Sequence, residues 1–331
     1  MFRQLLSYMW LPTWWIILLF ACLILVMPAG VFAVRSGEIS LSAEMSAAQR
    51  AVAAKHPDIR IKNPDYLAEN FVSDEFWHYY HYSRDFDASM KFVRTFRIGG
   101  YYYANARTKH VDDCFHNSLE NGAEQVVIMG AGFDSRAYRF GKDLDSVKFF
   151  ELDHPATSLR KQELIKEILG EIPGNVTFVP IDFNAWKFED ALRKAGYDSK
   201  KITCFIWESG SMYTSKEAVD RTFRFIFSQS AKASSVIFDY IPEPALKGGS
   251  SQYRGARRIA FRMSLAGEPL LSSLPEDVKV VEDYLNNRGL EVLSNVGQKE
   301  LTRMYLIGSD GKVDGMPSNY YRITHARVPA P

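Results

Sequence analysis

The residues most able to do chemistry in this chain are a glycine turn and a series of acids. Gly130-Ala131-Gly132 directly follows the short β-branched run Gln125–Met129. Glycines at such a turn let the backbone approach a bound ligand and expose amides at a helix start. Ser135 stands where the dinucleotide fingerprint wants glycine or alanine. Asp134 adds a negative charge where a pyrophosphate would lie, and like charges repel. A nicotinamide or flavin dinucleotide is therefore disfavoured. A ligand without phosphate, carrying an ammonium and a sulfonium, suits carboxylates better.

Further carboxylates end the strands that follow. Glu151 and Asp153 close the run Phe149–Asp153, and strand alternation puts them on one side. Asp153 lies roughly 20 residues after Gly130, the spacing at which an acid reaches an adenosine ribose in a β-α-β unit. Asp182 follows the next strand, beside Phe183, a pair suited to an adenine amino group and ring face. Glu208 ends the fourth strand. Helix N-capping would account for Asp153 or Asp182 singly, but poorly for the whole set.

The elements that must position these acids follow from the pattern. Residues 40–120 read as mainly helical, starting with the alanine-rich stretch Ala43–Ala54. After residue 120, strands alternate with helices: 125–129, 147–152, 176–180, 202–207 and 234–240. Two further strands, at 291–295 and 321–328, complete the sheet at one edge. This is an α/β fold with a mainly parallel sheet. Residues 241–290 exceed a simple crossover and read as a cap over the site. Arg254, Arg258 and Arg262 would share one stripe of a helix there, with Arg257 beside it. That stripe is a solvated face, an anionic-substrate contact or a lipid-headgroup contact.

The first 35 residues are different. Leu5 to Val34 carries no charge. Leu11 to Val34 reaches the length of roughly 20 apolar residues needed to span a bilayer. It reads as a transmembrane anchor, with a cleaved signal peptide as the alternative. The expected localisation is a single-pass membrane protein with its catalytic domain facing the cytoplasm. The expected organisation is an anchor over 1–35, a helical segment over 36–120 and a catalytic domain over 121–331.

Composition excludes other classes. The 331 residues hold 40 Lys+Arg against 39 Asp+Glu, so no basic excess marks a nucleic-acid binder. Three cysteines cannot build a disulfide framework or a four-cysteine zinc site. His78 and His81 lie three apart, but no third ligand follows at sensible spacing, so no metal is expected. Cys114 and Cys204 read as buried small residues.

The stretch Gly130-Ala131-Gly132-Phe133-Asp134-Ser135-Arg136-Ala137-Tyr138-Arg139 resembles the signature of the leucine carboxyl methyltransferase family. The resemblance extends to Gln49-Arg50-Ala51, Asn63–Phe71, Ala106-Arg107-Thr108 with Asp112-Asp113, and Phe150–Pro155. It covers about residues 42–240. It implies a Rossmann-like class I methyltransferase fold with a seven-stranded sheet, and S-adenosyl-L-methionine as cofactor. By position, Arg107 would hold the methionine carboxylate. Gly130 and Gly132 would line the methionine and ribose part, and Asp134 is a further cofactor-binding candidate. Asp153 would accept from the ribose hydroxyls, and Asp182 and Phe183 would contact adenine. Glu208 would sit near the amino group or the substrate. Trp207–Tyr213 departs from the family's usual form, so the substrate side is less defined than the cofactor side.

The implied activity is in-line methyl transfer to a carboxylate or hydroxyl of a small-molecule, lipid-like or protein acceptor. The candidate catalytic residues are Glu208 and Tyr213, with His154 a weaker choice. A carboxylate acceptor needs no general base, whereas an alcohol or phenol does. A membrane-tethered non-catalytic binding module and a nicotinamide-dependent oxidoreductase are the competing readings.

Overall fold

A computed structural model describes residues 40–330 apart from 80–81, 97, 141–143, 183–187, 248–251 and 254. Among the described residues, four α-helices precede the sheet: α1 (Leu41–Ala53), α2 (Asp74–Tyr79), α3 (Phe86–Phe96) and α4 (Gly99–Glu120). Ser40 starts α1, its Oγ accepting from the amide of Ala43 at 3.2 Å. This cap satisfies an amide that the first helical turn would leave unpaired. The small side chains of Ala47, Ala48 and Ala51 let α1 pack closely, and all three are buried.

The sheet is built from β1 (Gln125–Met129), β2 (Lys148–Asp153), β3 (Val176–Pro180), β4 (Thr203–Trp207), β5 (Ser235–Tyr240), β6 (Glu291–Val296) and β7 (Arg322–Arg327). Its order is β3-β2-β1-β4-β5-β7-β6. The first five strands pair in parallel, while β7 runs antiparallel to both β5 and β6. The expected strands thus lie within a residue or two of the observed ones. The helices after the glycine turn are α5 (Arg136–Arg139), α6 (Pro155–Leu169), α7 (Phe188–Lys194), α8 (Lys216–Ser228), α9 (Glu243–Lys247), α10 (Ala256–Leu265), α11 (Val278–Asn286) and α12 (Gln298–Tyr305).

Every residue of β1 and of β4 is buried, as parallel strands covered on both faces require. Alternation sends their side chains to two separate cores. Val126, Ile128, Cys204 and Ile206 join the core under α1 and α4. Val127, Met129, Phe205 and Trp207 join the core under α7, α8 and α11. The strand order reverses between β1 and β4, and ligands of open α/β sheets bind beyond the strand ends at such a point.

The single-pass membrane expectation is corrected. Among the described residues no helix is long and apolar enough to cross a membrane. The longest candidate, α4, has 22 residues but carries Arg107, Lys109, Asp112 and Asp113 in its middle. Each such charge opposes insertion by about 2.5–3.5 kcal/mol. The stretch 1–35 on which the expectation rested lies outside the described residues.

Candidate active site

The glycine turn is shaped by backbone that only glycine adopts easily. Gly130 has φ +65° and Gly132 φ +43°. A Cβ on Gly132 would also come within 3.1 Å of the Ala43 Cβ, so the first turn of α1 lies against the turn after β1. Between them opens a cavity of ≈ 650 Å³. Its walls are the start of α1, the ends of β1 to β4, and the segment Gly267–Leu271 that follows α10. Arg107, Gly130, Gly132, Asp134, Asp153, Asp182, Glu208 and Tyr213 all line this one cavity. Phe183 lies outside the described residues, as do His81 and Arg254.

Glu151 and Asp153 share a strand face but not an environment. Asp153 opens into the cavity and accepts from the amides of Gly132 and, at 2.6 Å, His154. Burial raises its carboxyl above the ordinary value, and these two amides hold the rise back. Glu151 points down into the core, where its Oε2 lies 2.7 Å from Lys161 Nζ on α6. The Lys161 ammonium also stands over the ring of Tyr138 at 5.5 Å. Burial pushes Glu151 up to about 7, although Lys161 pulls the other way. This pair ties β2, α5 and α6 together beneath the glycine turn.

Four guanidiniums and five carboxylates interlock on the α4 side of the cavity. Asp112 receives Arg139 at 2.7 and 2.6 Å through both oxygens, and Arg136 Nε at 2.8 Å. Arg136 also bonds Asp134. Arg50 bonds Asp65 at 2.8 Å and the carbonyl of Phe133 at 2.6 Å, fixing α1 to the turn. Glu208 lies between Arg107 Nε and Arg136 Nη2, 2.9 Å from each. Arg107 Nε and Glu208 Oε2 are buried at these ion-pair contacts. Burial alone would raise Glu208, but Arg107, Arg136 and Arg50 outweigh it and hold the carboxyl down at about 2.

The fifth carboxylate, Asp239, is absent from the sequence reading. It ends β5 and is fully buried, with burial raising its carboxyl. It accepts from the Ser209 amide at 2.7 Å, Tyr103 Oη at 2.9 Å and Arg107 Nη1 at 3.3 Å. Ser209 has φ +54°, a left-handed conformation rare for a side-chain-bearing residue. Asp239 therefore holds a strained turn immediately after Glu208. The available signal was the Asp-Tyr end of the fifth strand, which continues the series of strand-end acids. Arg107 Nη1 also bonds Ser209 Oγ, and Nη2 bonds Ser46 Oγ at 2.8 Å. Most of its donors are thus already engaged, which an assignment by position alone does not reveal.

The proton-transfer candidates have defined states. Burial, with Glu268 adding to it, pushes the Tyr213 phenol well above its ordinary value, so it is a donor near neutrality. Glu208 is too weak a base when held at about 2. His154 caps α6, Nδ1 accepting from the Ala156 amide at 3.4 Å.

Comparison with known proteins adds to this geometry. The family model of leucine carboxyl methyltransferase matches residues 43–227. A Mycobacterium avium protein, named as a candidate S-adenosyl-L-methionine-dependent methyltransferase, is 30% identical over 261 residues, covering 77% of this chain and 82% of its own. A Bacillus subtilis protein with the same type of name is 29% identical over 218 residues, covering 65% and 70%. The crystal structure of a DUF574 family protein from Streptomyces avermitilis matches the fold with TM-score 0.55 at 12% identity, over 89% of this chain and 99% of that one. With its strand order, glycine turn and family match over the N-terminal helices and the first four strands, the chain belongs to the leucine carboxyl methyltransferase family.

Proposed function

We propose that this S-adenosyl-L-methionine-dependent methyltransferase methylates an acceptor oxygen that arrives already ionised, in the first instance a carboxylate. Family membership and the relatives support methyl transfer and the cofactor. The acceptor and the residue roles below are our reading.

The residues fit the cofactor. The cavity falls within the roughly 300–1,000 Å³ of small-molecule sites. Its lining holds Asp65, Asp134, Asp153, Asp182, Glu208 and Glu268 against four arginines, a surplus of acid that favours a cationic ligand over a phosphate. Arg107 and Glu208, which both line the cavity, suit the carboxylate and ammonium of an amino-acid end by charge. Asp153 retains lone pairs for ribose hydroxyls, and Asp182, which lines the cavity after β3, is left for the base. The bound cofactor supplies an electrophilic methyl group on a sulfonium.

The chain's own residues position, desolvate and hold charge. Gly130 and Gly132 bring backbone close to the ligand without a side chain between them. Arg107 and Glu208, each fixed by the network, set the amino-acid end. Gly267–Leu271 covers the mouth, with Glu268 Oε2 accepting from the Ser42 amide at 3.1 Å. The nucleophile must be held about 3–3.5 Å from the carbon it attacks. Tyr213, protonated, can donate to an acceptor oxygen and orient it.

One observation carries the carboxylate reading. Among the candidate bases that line the cavity, Glu208 is held low and Tyr213 stays protonated, so neither is a base near neutral pH, and His154 Nδ1 is engaged by the Ala156 amide at 3.4 Å. An alcohol would need such a base, but an ionised carboxylate would not. The test uses methyl-labelled cofactor with panels of carboxylic acids, phenols and alcohols. The expected product is a methyl ester, which mild alkali converts to labelled methanol. Label retained through alkali, as an ether or methylamine holds it, would overturn the reading.

A further inference from the structure

A helix with three arginines and no acid leads into the rim of the cavity. α10 turns Ala256 and Met263 inward, and Ala256 packs with Tyr320 and Met212. Arg257, Arg258, Phe261, Arg262 and Leu265 face outward and are exposed. Spacing by four puts Arg258 and Arg262 in one stripe, and Arg257, Phe261 and Leu265 in the next. Phe261 is 64% exposed and Leu265 40%, a large apolar outlay for a ten-residue surface helix.

These cations are unusual in this molecule. No described carboxylate lies within ion-pair distance of Arg257, Arg258 or Arg262. Every other described arginine except Arg60 and Arg322 has one. The chain as a whole is balanced at +1, so the face is a local excess of positive charge. The helix runs directly into Gly267, Glu268, Pro269 and Leu271, which line the cavity. Leu271 is itself 47% exposed. At the α-helical rise, Arg262 and Arg258 stand about 8 Å and about 14 Å from Gly267 along the axis.

We propose that this face carries the body of the methyl acceptor, an amphiphilic acid with a second anionic group. The reacting carboxylate enters the cavity. The apolar stretch crosses Leu271 and Phe261, and the second anion reaches Arg258 and Arg262. The proposal rests on the carboxylate reading for the end that enters the cavity. Exposed ion pairs are individually weak, so the two arginines and the apolar contact act together.

The test is calorimetric titration of dodecanoate and dodecanedioate into the full chain, with no methyl transfer involved. The diacid is expected to bind about tenfold more tightly, a preference that added salt diminishes. R258A/R262A removes the preference, R258K/R262K keeps it, and F261S weakens both acids. Absent binding of the diacid, equal binding of the two acids, or a preference that survives R258A/R262A overturns the proposal. Binding to phosphatidylglycerol vesicles that R258A/R262A abolishes, with no preference between the acids, assigns the face to a lipid surface and also overturns it. Because the readout is binding, a negative result leaves the ester-forming reading standing. Loss of that reading leaves the diacid preference measurable.

Discussion

Glu208 is where charge matters most at the scale of single residues. It is the shared counter-ion of two buried guanidiniums, and removing one partner of a buried pair typically costs about 3–5 kcal/mol. Glu208→Gln should lower unfolding free energy in urea at pH 7 by about 3 kcal/mol; a loss below about 1 kcal/mol would show that the network relaxes around the change. The pH dependence has a definite sign. The folded carboxyl sits at about 2, below its ordinary value, so its stabilisation is full above about 4.5 and is lost as pH falls toward 2. The acid limb of wild-type stability should flatten in Glu208→Gln. Tyr213→Phe should lower kcat with little change in cofactor affinity if the phenol only orients the acceptor. Its assignment as a donor predicts no new limb in the pH–rate profile below pH 9.

The same residues show what the sequence could reveal. Gly130, Gly132, Asp153 and Glu208 were legible because their chemistry is tied to local spacing: a turn after a strand, an acid at a strand end. Asp239 was missed because its role depends on α4 and the turn after β4, which only the fold brings together. The pairing of Glu151 with Lys161 was hidden for a similar reason. Two acids on one strand face looked equivalent until depth separated them.

At the scale of elements, the glycine turn is held from both sides. α1 presses on it at Ala43, and the Glu151–Lys161 pair fixes it from below. Gly132→Ala combines a positive φ with the Ala43 contact. Strain of about 1–3 kcal/mol is expected, and cofactor affinity should fall by tenfold or more. Unchanged affinity would mean that the turn is not rigid in solution. The buried pair makes a separate pH prediction. The folded Glu151 carboxyl is raised to about 7, so the folded state keeps a proton that the unfolded chain has released. Stability should therefore fall as pH rises from about 4.5 to 7, by on the order of 3 kcal/mol from this group. In Glu151→Gln that slope should vanish, as chemical denaturation across pH 5 to 8 would show. A slope that persists would assign it to another group.

The strands were the most legible elements because their apolar runs are short and separated by helical stretches. The antiparallel β7 was less so. Residues 321–328 read as a strand, but nothing local says that they pair between β5 and β6. That placement follows from the long return through α11 and α12. The helical segment before the sheet was legible from its alanines. Its service as one wall of the cavity became visible only when Ser42, Ser46 and Arg50 were found there.

At the scale of the whole molecule, a nearly neutral chain concentrates charge unevenly. Acid surplus lines the cavity, and among the described residues no carboxylate lies within ion-pair distance of the arginines on α10. On the proposed reading, this arrangement draws a cationic cofactor inward and holds an anionic acceptor at the rim. The central claim is that the cavity at the ends of β1 to β4 binds S-adenosyl-L-methionine through Asp153. Calorimetric titration of the cofactor into the full chain, beside Asp153→Ala, tests it most directly. The account predicts binding by the wild type and a loss of affinity of about 10- to 100-fold in the variant, with its far-ultraviolet spectrum unchanged. Equal binding by the two proteins would place the cofactor elsewhere and contradict the account.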